Sequence, residues 1–132
     1  MSKAQKAVYN ILSNAAGVTS LVSTRIYPQR LPAGVVYPAI TYQRISDVPW
    51  MTKNSYLSAA SRVQINVFSK TNDSATAIET AVIAALNRVA KGTYNGVKVE
   101  TITYENSVEF MADNADNDGL FYTAIDFMVY YG

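Results

Sequence analysis

Residues 62–69 alternate between apolar and polar side chains, and this alternation constrains the fold more than any other feature of the chain. Val63, Ile65 and Val67 fall on one side of an extended backbone, and polar residues fall between them on the other side. A strand of this kind buries one face and exposes the other, as in an antiparallel sheet that is covered on one side. The rest of the chain must therefore provide an apolar cover for that face.

Residues 3–15 carry apolar side chains at helical spacing and are predicted to form a first covering helix. Ser2 precedes them as an N-cap residue, and Gly17 follows where a left-handed residue commonly ends a helix. Residues 19–22 are compatible with one further turn. The apolar stripe of the helix consists of Ala4, Ala7, Val8, Ile11, Leu12 and Ala15.

A second helix is predicted in the middle of the chain, capped at its start by Asn72 or Asp73 and ended by Gly92. Arg88 and Lys91 suit the negative end of its dipole. Its apolar stripe consists of Ile78, Ala81, Val82, Ala85, Leu86 and Val89.

Four other segments are predicted to be extended, namely residues 25–28, 39–46, 97–104 and 120–131. Asn95–Gly96, just before the third of them, is a tight-turn signal. Residues 107–112 either extend that third strand or form another. Between the strands, residues 29–38 are predicted to be an irregular arm, and residues 47–59, broken by Pro49, a long polar loop.

The order of these elements is helix, strands, helix, strands. It predicts an α+β fold, a mostly antiparallel β-sheet with two main helices packed on one face. A chain of 132 residues is long enough for one domain and too short for two comfortable ones. Residues 1–132 are therefore expected to form a single domain.

The composition excludes several classes of enzyme, because the chain has no cysteine and no histidine. It has no disulfide, no thiolate nucleophile and no zinc site built from cysteine or histidine. Catalysis by a serine–histidine or cysteine–histidine pair is excluded for the same reason. The six glycines are scattered and match no nucleotide-binding fingerprint. We expect no enzymatic activity and no cofactor.

The acidic loop that begins at Asp113 is the one cluster that resembles a ligand site. Asn114, Asp116 and Asp118 take the first, third and fifth positions of a calcium loop, but Ile125 stands where a bidentate glutamate is needed. Aspartate and asparagine are also favoured in turns for local reasons. We therefore expect no metal site there, and we treat Asp113, Asp116 and Asp118 as candidate contact residues.

Glu105 and Glu109 form the one carboxylate pair that invites a catalytic interpretation. Nothing in the neighbouring sequence suggests a pocket that would separate their pKa values, which acid–base catalysis by two carboxyl groups requires. We interpret both as surface carboxylates.

Charge is distributed unevenly along the chain. Residues 1–72 contain eight Lys and Arg residues and one acidic residue, a balance of +7, whereas residues 73–132 contain three basic and nine acidic residues, a balance of −6. Either the two halves pair within one fold, or the molecule has one positive and one negative face. A molecule with two such faces can associate head-to-tail with its own copies.

Trp50–Met51 is a large apolar pair in a segment predicted to be a polar loop. Either this loop folds back over the core, or it anchors a partner, since tryptophan is enriched among residues that dominate binding energy. Tyrosine suits half-buried positions at interfaces, and the chain contains ten. The candidate contact residues are therefore Trp50, Met51, Tyr56, Arg30 and Arg44, beside the acidic loop.

A nucleic-acid-binding module is an alternative interpretation, because bases and aromatic residues interleave in the first half of the chain. The residues concerned are Arg25, Tyr27, Arg30, Tyr42 and Arg44. The same pattern is found on ordinary half-exposed strands. The longest strongly apolar stretch, Ala81–Leu86, is too short to span a bilayer, so we expect no membrane partner.

The order and spacing of several short segments resemble one known family. The segments are Tyr9–Leu12, Gly17–Val22, Arg25–Pro28, Pro32, Pro38–Tyr42 and Arg62–Phe68. Together with the following helix and the aromatic C-terminal strand, they resemble the tail-completion proteins of long-tailed bacteriophages, the family of tail terminators and tail-to-head joining proteins.

The resemblance implies a structural virion protein rather than an enzyme. Such proteins form a ring, typically of six subunits, at the head-proximal end of the tail tube, where the ring stops tube polymerisation and docks onto the head. The implied partners are other copies of the chain, the tail tube protein and a head-completion or connector protein, with DNA passing through the lumen unread. A head-side connector or stopper protein of the same virion remains the alternative, and a hydrolase is a distant one.

Overall fold

The computed structural model describes residues 2–51, 56–112 and 120–132, with the backbone alone described at 48–51, 56–58 and 111–112. Three helices and six strands lie within these ranges. In chain order they are α1 (Lys3–Ser13), α2 (Ala16–Val22), β1 (Ile26–Pro28), β2 (Ala39–Met51), β3 (Tyr56–Ser69), α3 (Asn72–Leu86), β4 (Gly92–Tyr94), β5 (Val97–Ala112) and β6 (Leu120–Tyr131). No helix in this part of the chain is long and apolar enough to cross a membrane.

The strands form one sheet in the order β1-β2-β3-β6-β5-β4. The pairing of β1 with β2 is parallel, and the other four pairings are antiparallel. The fold is therefore α+β, as predicted, with a mixed sheet rather than a purely antiparallel one. The parallel pair arises because the irregular arm, residues 29–38, carries the chain back to the level at which β1 began.

A reciprocal cap defines the start of α1. The Ser2 hydroxyl accepts a 3.2 Å hydrogen bond from the backbone N–H of Gln5, and the Gln5 side chain accepts one of 3.1 Å from the backbone N–H of Ser2. The predicted N-cap is thus confirmed. The predicted C-terminal role of Gly17 is wrong, because Asn14 caps α1 by bonding back to Asn10, and Gly17 lies inside α2.

The helix α3 confirms the second predicted helix but not its ends. It is capped by Thr71, whose hydroxyl accepts a 3.2 Å hydrogen bond from the backbone N–H of Ser74, rather than by Asn72 or Asp73. Gly92 does not end this helix; it is the first residue of β4.

The chain leaves α3 earlier than predicted because residues beyond Leu86 bond to β5 instead of continuing the helix. The Arg88 N–H donates a 2.7 Å hydrogen bond to the carbonyl of Ile102, and the Asn87 side chain accepts one of 3.1 Å from the N–H of Tyr104. Arg88, which has a positive φ of 58°, therefore lies outside the helix. Lys91, the other basic residue predicted near the end of the helix, also lies outside it.

The segment predicted to be a loop at residues 47–59 is largely strand. The strand β2 continues to Met51 and β3 begins at Tyr56, with Pro49 paired opposite Ala59. Proline is tolerated in an edge strand, and β1 reaches only as far as Tyr42 along the other side of β2. The sequence signal misleads here because a proline disrupts a strand only where a neighbouring strand needs the missing N–H, and β1 does not reach Pro49.

Two local predictions about turns are confirmed. Asn95 and Gly96 have φ values of 51° and 79°, as the two central residues of a primed hairpin turn require, and they join β4 to β5. The arm of residues 29–38 contains neither helix nor strand. Residues 107–112 extend β5 rather than forming a strand of their own.

One hydrophobic cluster joins the helices to the sheet. The predicted alternation in β3 is confirmed, since Val63, Ile65 and Val67 are fully buried. The buried strand and helix residues in the same cluster include Val8, Leu12, Val18, Val22, Ile40, Ile78, Val82, Leu86, Ile102, Ile125, Phe127 and Val129.

Replacing Ile65 by alanine tests the importance of this cluster. Ile65 is fully buried between Tyr42 and Ile125 in the sheet, so Ile65→Ala leaves a cavity and is expected to lower the free energy of unfolding by about 2–5 kcal/mol. Asn66→Ala, one residue along and on the half-exposed side, is the matched control and should cost under about 1 kcal/mol. Urea unfolding measures both, and equal losses would contradict this assignment of faces.

Candidate interaction surfaces

The order of the strands places the two halves of the sequence on opposite sides of the sheet. The strands β1, β2 and β3 come from the basic first 72 residues, and β6, β5 and β4 come from the acidic remainder. Because β3 and β6 are neighbours at the centre, the strands of the first half extend to one edge and those of the second half to the other. Among the described residues outside the helices, the side of β1–β3 carries five cations and Asp47, whereas the side of β4–β6 carries four carboxylates beside Arg88, Lys91 and Lys98. These three cations lie near the start of β5, so the excess of negative charge is at the far end of that strand, at Glu105 and Glu109.

The two charged halves meet at the seam between β3 and β6. There the Arg62 Nη2 atom lies 3.2 Å from the Asp126 Oδ2 atom, and Gln64 Nε2 donates a 3.1 Å hydrogen bond to Asp126 Oδ1. Every other ion pair among the described residues joins two residues of the same half. Contacts within the described chain thus leave most of the charge of each half without an opposite charge beside it.

The predicted contact residues Arg30 and Arg44 both lie on the basic side and are exposed. Arg30 belongs to the arm, residues 29–38, which connects β1 to β2. Arg44 lies in β2, where its Nη1 atom is 4.0 Å from the Asp47 Oδ2 atom. The structure therefore places both arginines at the basic edge of the sheet.

The acidic side carries Glu105 and Glu109, which are exposed on β5 as predicted. Thr103 Oγ1 donates a 3.2 Å hydrogen bond to Glu105 Oε1. Within the described ranges, no three carboxylates converge as metal ligands would. These carboxylates supply negative charge to an edge rather than a coordinated site.

Three aromatic rings form a row across the sheet at the end of β5 that carries Glu109. The Tyr122 ring stacks between Phe110 and Phe68, at centroid distances of 4.7 Å and 5.5 Å. Phe110 ends the row on β5 with 42% of its surface exposed, and Val108, two residues earlier, is 45% exposed. At this corner of β5, Val108 and Phe110 lie on the face of the sheet that carries Asp126, and Glu109 lies on the opposite face.

An open cavity of about 220 Å³ lies beside this corner, between the start of α3 and the ends of β5 and β6. Among the described residues, Glu109 is the one charged residue that lines it, with Asn72, Ala75 and Phe121 among the others. A single exposed carboxylate has no partner with which to share acid and base roles. The cavity suits contact with another surface better than catalysis.

Tyr42 is the most deeply buried titratable residue of the described core. It lies almost fully buried beneath α1, with its ring centroid 5.8 Å from that of Tyr9. Burial, and secondarily the neighbouring Tyr9 phenol, raises the pKa of Tyr42 from 10.0 to about 12. A phenol that stays neutral in the core contributes to packing and is not poised for proton transfer near neutral pH.

The other predicted contact residues lie where less is described. The backbones of Trp50 and Met51 end β2 and that of Tyr56 begins β3, so the three belong to one hairpin, with their side chains outside the description. The acidic-loop residues Asp113, Asp116 and Asp118 lie outside the described residues.

Comparison with known families adds a match over nearly the whole chain. The sequence model of the family described as Tail completion protein gp17 matches residues 6–131. The chain belongs to this family. The resemblance drawn from the order of short segments is thus confirmed, and this tail-completion protein is a structural component of a phage-type virion tail.

Solved structures show the same fold elsewhere. A chain of the "Virion of native gene transfer agent (GTA) particle" has a TM-score of 0.73 and 19% identity, covering 98% of this chain and 94% of that chain. A second solved chain is 12% identical, with a TM-score of 0.48 over 89% of this chain and 87% of that one, which is too low to support an argument. A comparison with curated proteins finds no match.

Sequence reasoning missed Val108 and Phe110 as surface residues of the tail-completion protein. The register of β5 shifts between Tyr104 and Asn106, so one extra residue is inserted into the strand. An insertion of one residue moves every following side chain to the opposite face of a sheet. The sequence shows that polar and apolar residues alternate at 107–110, but which of them face away from the core depends on this bulge.

The raised pKa of Tyr42 predicts how stability changes at high pH. Between pH 10 and about 12 the unfolded chain releases the phenol proton while the folded protein keeps it, so the free energy of unfolding falls as the pH rises. Tyr42→Phe has no proton to lose and should make that decline shallower. Urea unfolding of both proteins at several pH values from 9 to about 12 measures the slopes, and identical slopes would contradict the burial of an ionisable phenol.

Proposed function

We propose that this tail-completion protein forms a closed ring of copies at the head-proximal end of a tail tube. The ring terminates polymerisation of the tube and joins the tail to the head. The observation that carries this proposal is the difference in charge between the two sides of the sheet, with an excess of cations beside β1 and β2 and with Glu105 and Glu109 on the uncovered end of β5.

This difference in charge favours association in which unlike edges meet. A ring closes through heterologous contacts, in which one surface of each copy meets a different surface of the next. Two identical edges brought together would place like charges opposite each other, which is unfavourable. The charge distribution therefore supports a head-to-tail ring over a dimer with a two-fold axis.

In this proposal the two faces of the sheet have different roles, one covered by helices and one open to neighbouring proteins. The buried residues of the helices cluster with Val63, Ile65 and Val67 and with the strand residues level with them. We propose that all the helices cover this one face. The opposite face, which carries the seam of Arg62 and Asp126, then remains available for contacts with neighbouring virion proteins.

The partners in this proposal are the tail tube protein on one side of the ring and a head-completion or connector protein on the other. DNA passes through the lumen without being read. The protein acts through surface contacts and not as an enzyme. Glu105 and Glu109 on β5 offer charged contacts, and within the described part of the chain Glu109 is the only carboxylate that lines the cavity.

Electron microscopy of the protein mixed with preformed tubes of its tail protein tests this function. We expect density capping one end of each tube, and tubes that stop growing when the protein is present during polymerisation. Trp50→Ala should reduce capping while urea unfolding stays unchanged, and Trp50→Phe should retain most of it, because an interface anchor needs a large apolar ring. Uncapped tubes that grow without limit would refute the proposed function, and normal capping by Trp50→Ala would remove that residue from the interface.

Salt tests the contribution of charge to assembly. Opposite charges at exposed edges attract over about 8–10 Å at physiological ionic strength and over only about 3 Å at 1 M salt. We expect the fraction of assembled protein in sedimentation velocity to fall as sodium chloride is raised from 0.05 M to 1 M. Assembly that is independent of salt would assign the interface to apolar contacts instead.

A further inference from the structure

We propose that the arm of one copy, residues 29–38, docks on the uncovered segment of β5, residues 105–110, in the next copy. This inference rests on the proposed ring and names the surfaces through which neighbouring copies meet. The occupant of the β5 edge is therefore a second copy of this chain.

The outer side of β5 is covered over only part of its length. The strand β4 pairs with residues 97–99, and the chain after α3 bonds to Ile102 and Tyr104. From Glu105 to Phe110, no described strand or loop bonds to this side of β5. Every second residue of an edge strand directs its N–H and C=O outward, and this stretch contains no proline to block a partner.

The residues that flank the arm, Pro28 and Ala39, lie on the opposite side of the sheet, level with this uncovered segment. Residues that pair from strand to strand form a row across the sheet. The row of Pro28 in β1 passes through Tyr42, Ile65 and Ile125 to Ser107 in β5. The row of Ala39, the residue after the arm, runs to Phe110 through the stacked rings of Phe68 and Tyr122. Copies placed edge to edge without a shift along the strands therefore bring the arm of one against residues 107–110 of the next.

The chemistry of the two surfaces is complementary. The arm presents the cation of Arg30 and the side chain of Val36, which is 64% exposed. The facing segment of β5 presents the carboxylate of Glu109 on one face of the strand and the exposed apolar surface of Val108 and Phe110 on the other. Each surface offers one charge and one apolar patch, and the two charges have opposite sign.

The arm, rather than the strand β1 beside it, is the element suited to this contact. The outer edge of β1 is blocked, because Pro28 has no N–H and the N–H of Ile26 bonds to Thr24 at 2.8 Å. The end of the arm is held in place by Arg25, whose Nε donates a 2.8 Å hydrogen bond to the carbonyl of Pro38.

The Lys70 ammonium adds a second support for the arm, lying 5.3 Å from the centre of the Tyr37 ring. A segment that is held before it binds loses less conformational freedom on docking. The exposed side chain of Val36, next to Tyr37, is therefore presented by a supported part of the arm.

Cysteine cross-linking tests the contact, and the absence of native cysteine removes any background. A variant with both Val36→Cys and Val108→Cys should, after mild oxidation, give a ladder of covalent oligomers on a non-reducing gel. A mixture of the two single variants should give dimers and stop there, because each copy then carries only one end of the link. Val36→Cys combined with Ala84→Cys, an exposed position on α3, is the matched control and should give no ladder.

The oxidation is carried out on the free protein and on protein bound to tube ends. A ladder in either setting supports the contact. No ladder in both, or an equal ladder from the control, would overturn it. If the protein caps tubes but gives no ladder, this contact is overturned and the ring proposal stands. If it gives a ladder but does not cap tubes, the contact stands and the proposed function at the tube end is overturned.

Charge exchange tests the polar half of the contact. Arg30→Glu and Glu109→Arg should each raise the protein concentration needed for half-assembly by about tenfold, and the double variant should return it towards the original value. Both residues are exposed, so urea unfolding should be unchanged in all three variants. Losses that simply add in the double variant would show that the two side chains do not meet.

Discussion

The antiparallel hydrogen-bond ladder between β3 and β6 sets the position of every other strand in the sheet. It runs without interruption from Ala59 opposite Tyr131 to Ser69 opposite Phe121, and its inward side chains are among the most deeply buried in the protein. The two strands come from opposite halves of the chain and are the central neighbours of the sheet. Each half of the chain therefore builds outward from this ladder to its own edge.

The position of this ladder places the two differently charged halves of the sequence on opposite sides of the sheet. Had the halves interleaved strand by strand, basic and acidic residues would have alternated across the sheet and compensated one another locally. Instead, Arg62 and Asp126 meet at the seam, while Arg30 and Glu109 lie far out on opposite sides. This difference between the two sides of the sheet is the reason for which we propose head-to-tail association of copies.

Much of the fold was predictable because the relevant signals are local. The cap at Ser2, the alternation through Ile65 and the turn at Asn95–Gly96 each depend on residues a few positions apart, and all three appear as expected. The errors share a different origin. Pro49 lies in a strand because β1 stops short of it, and α3 ends early because Arg88 bonds to β5. In both cases a distant strand overrides the local preference.

The sequence by itself determined the family, the secondary structure of most segments, the burial of one side of β3 and the separation of charge along the chain. Only the tertiary structure decided that this separation becomes two opposite edges, because that outcome depends on which strands are neighbours. The exposure of Val108 and Phe110 was likewise decided by the bulge after Tyr104. Strand order and bulges are set by contacts between residues far apart in the chain, and no local pattern encodes them.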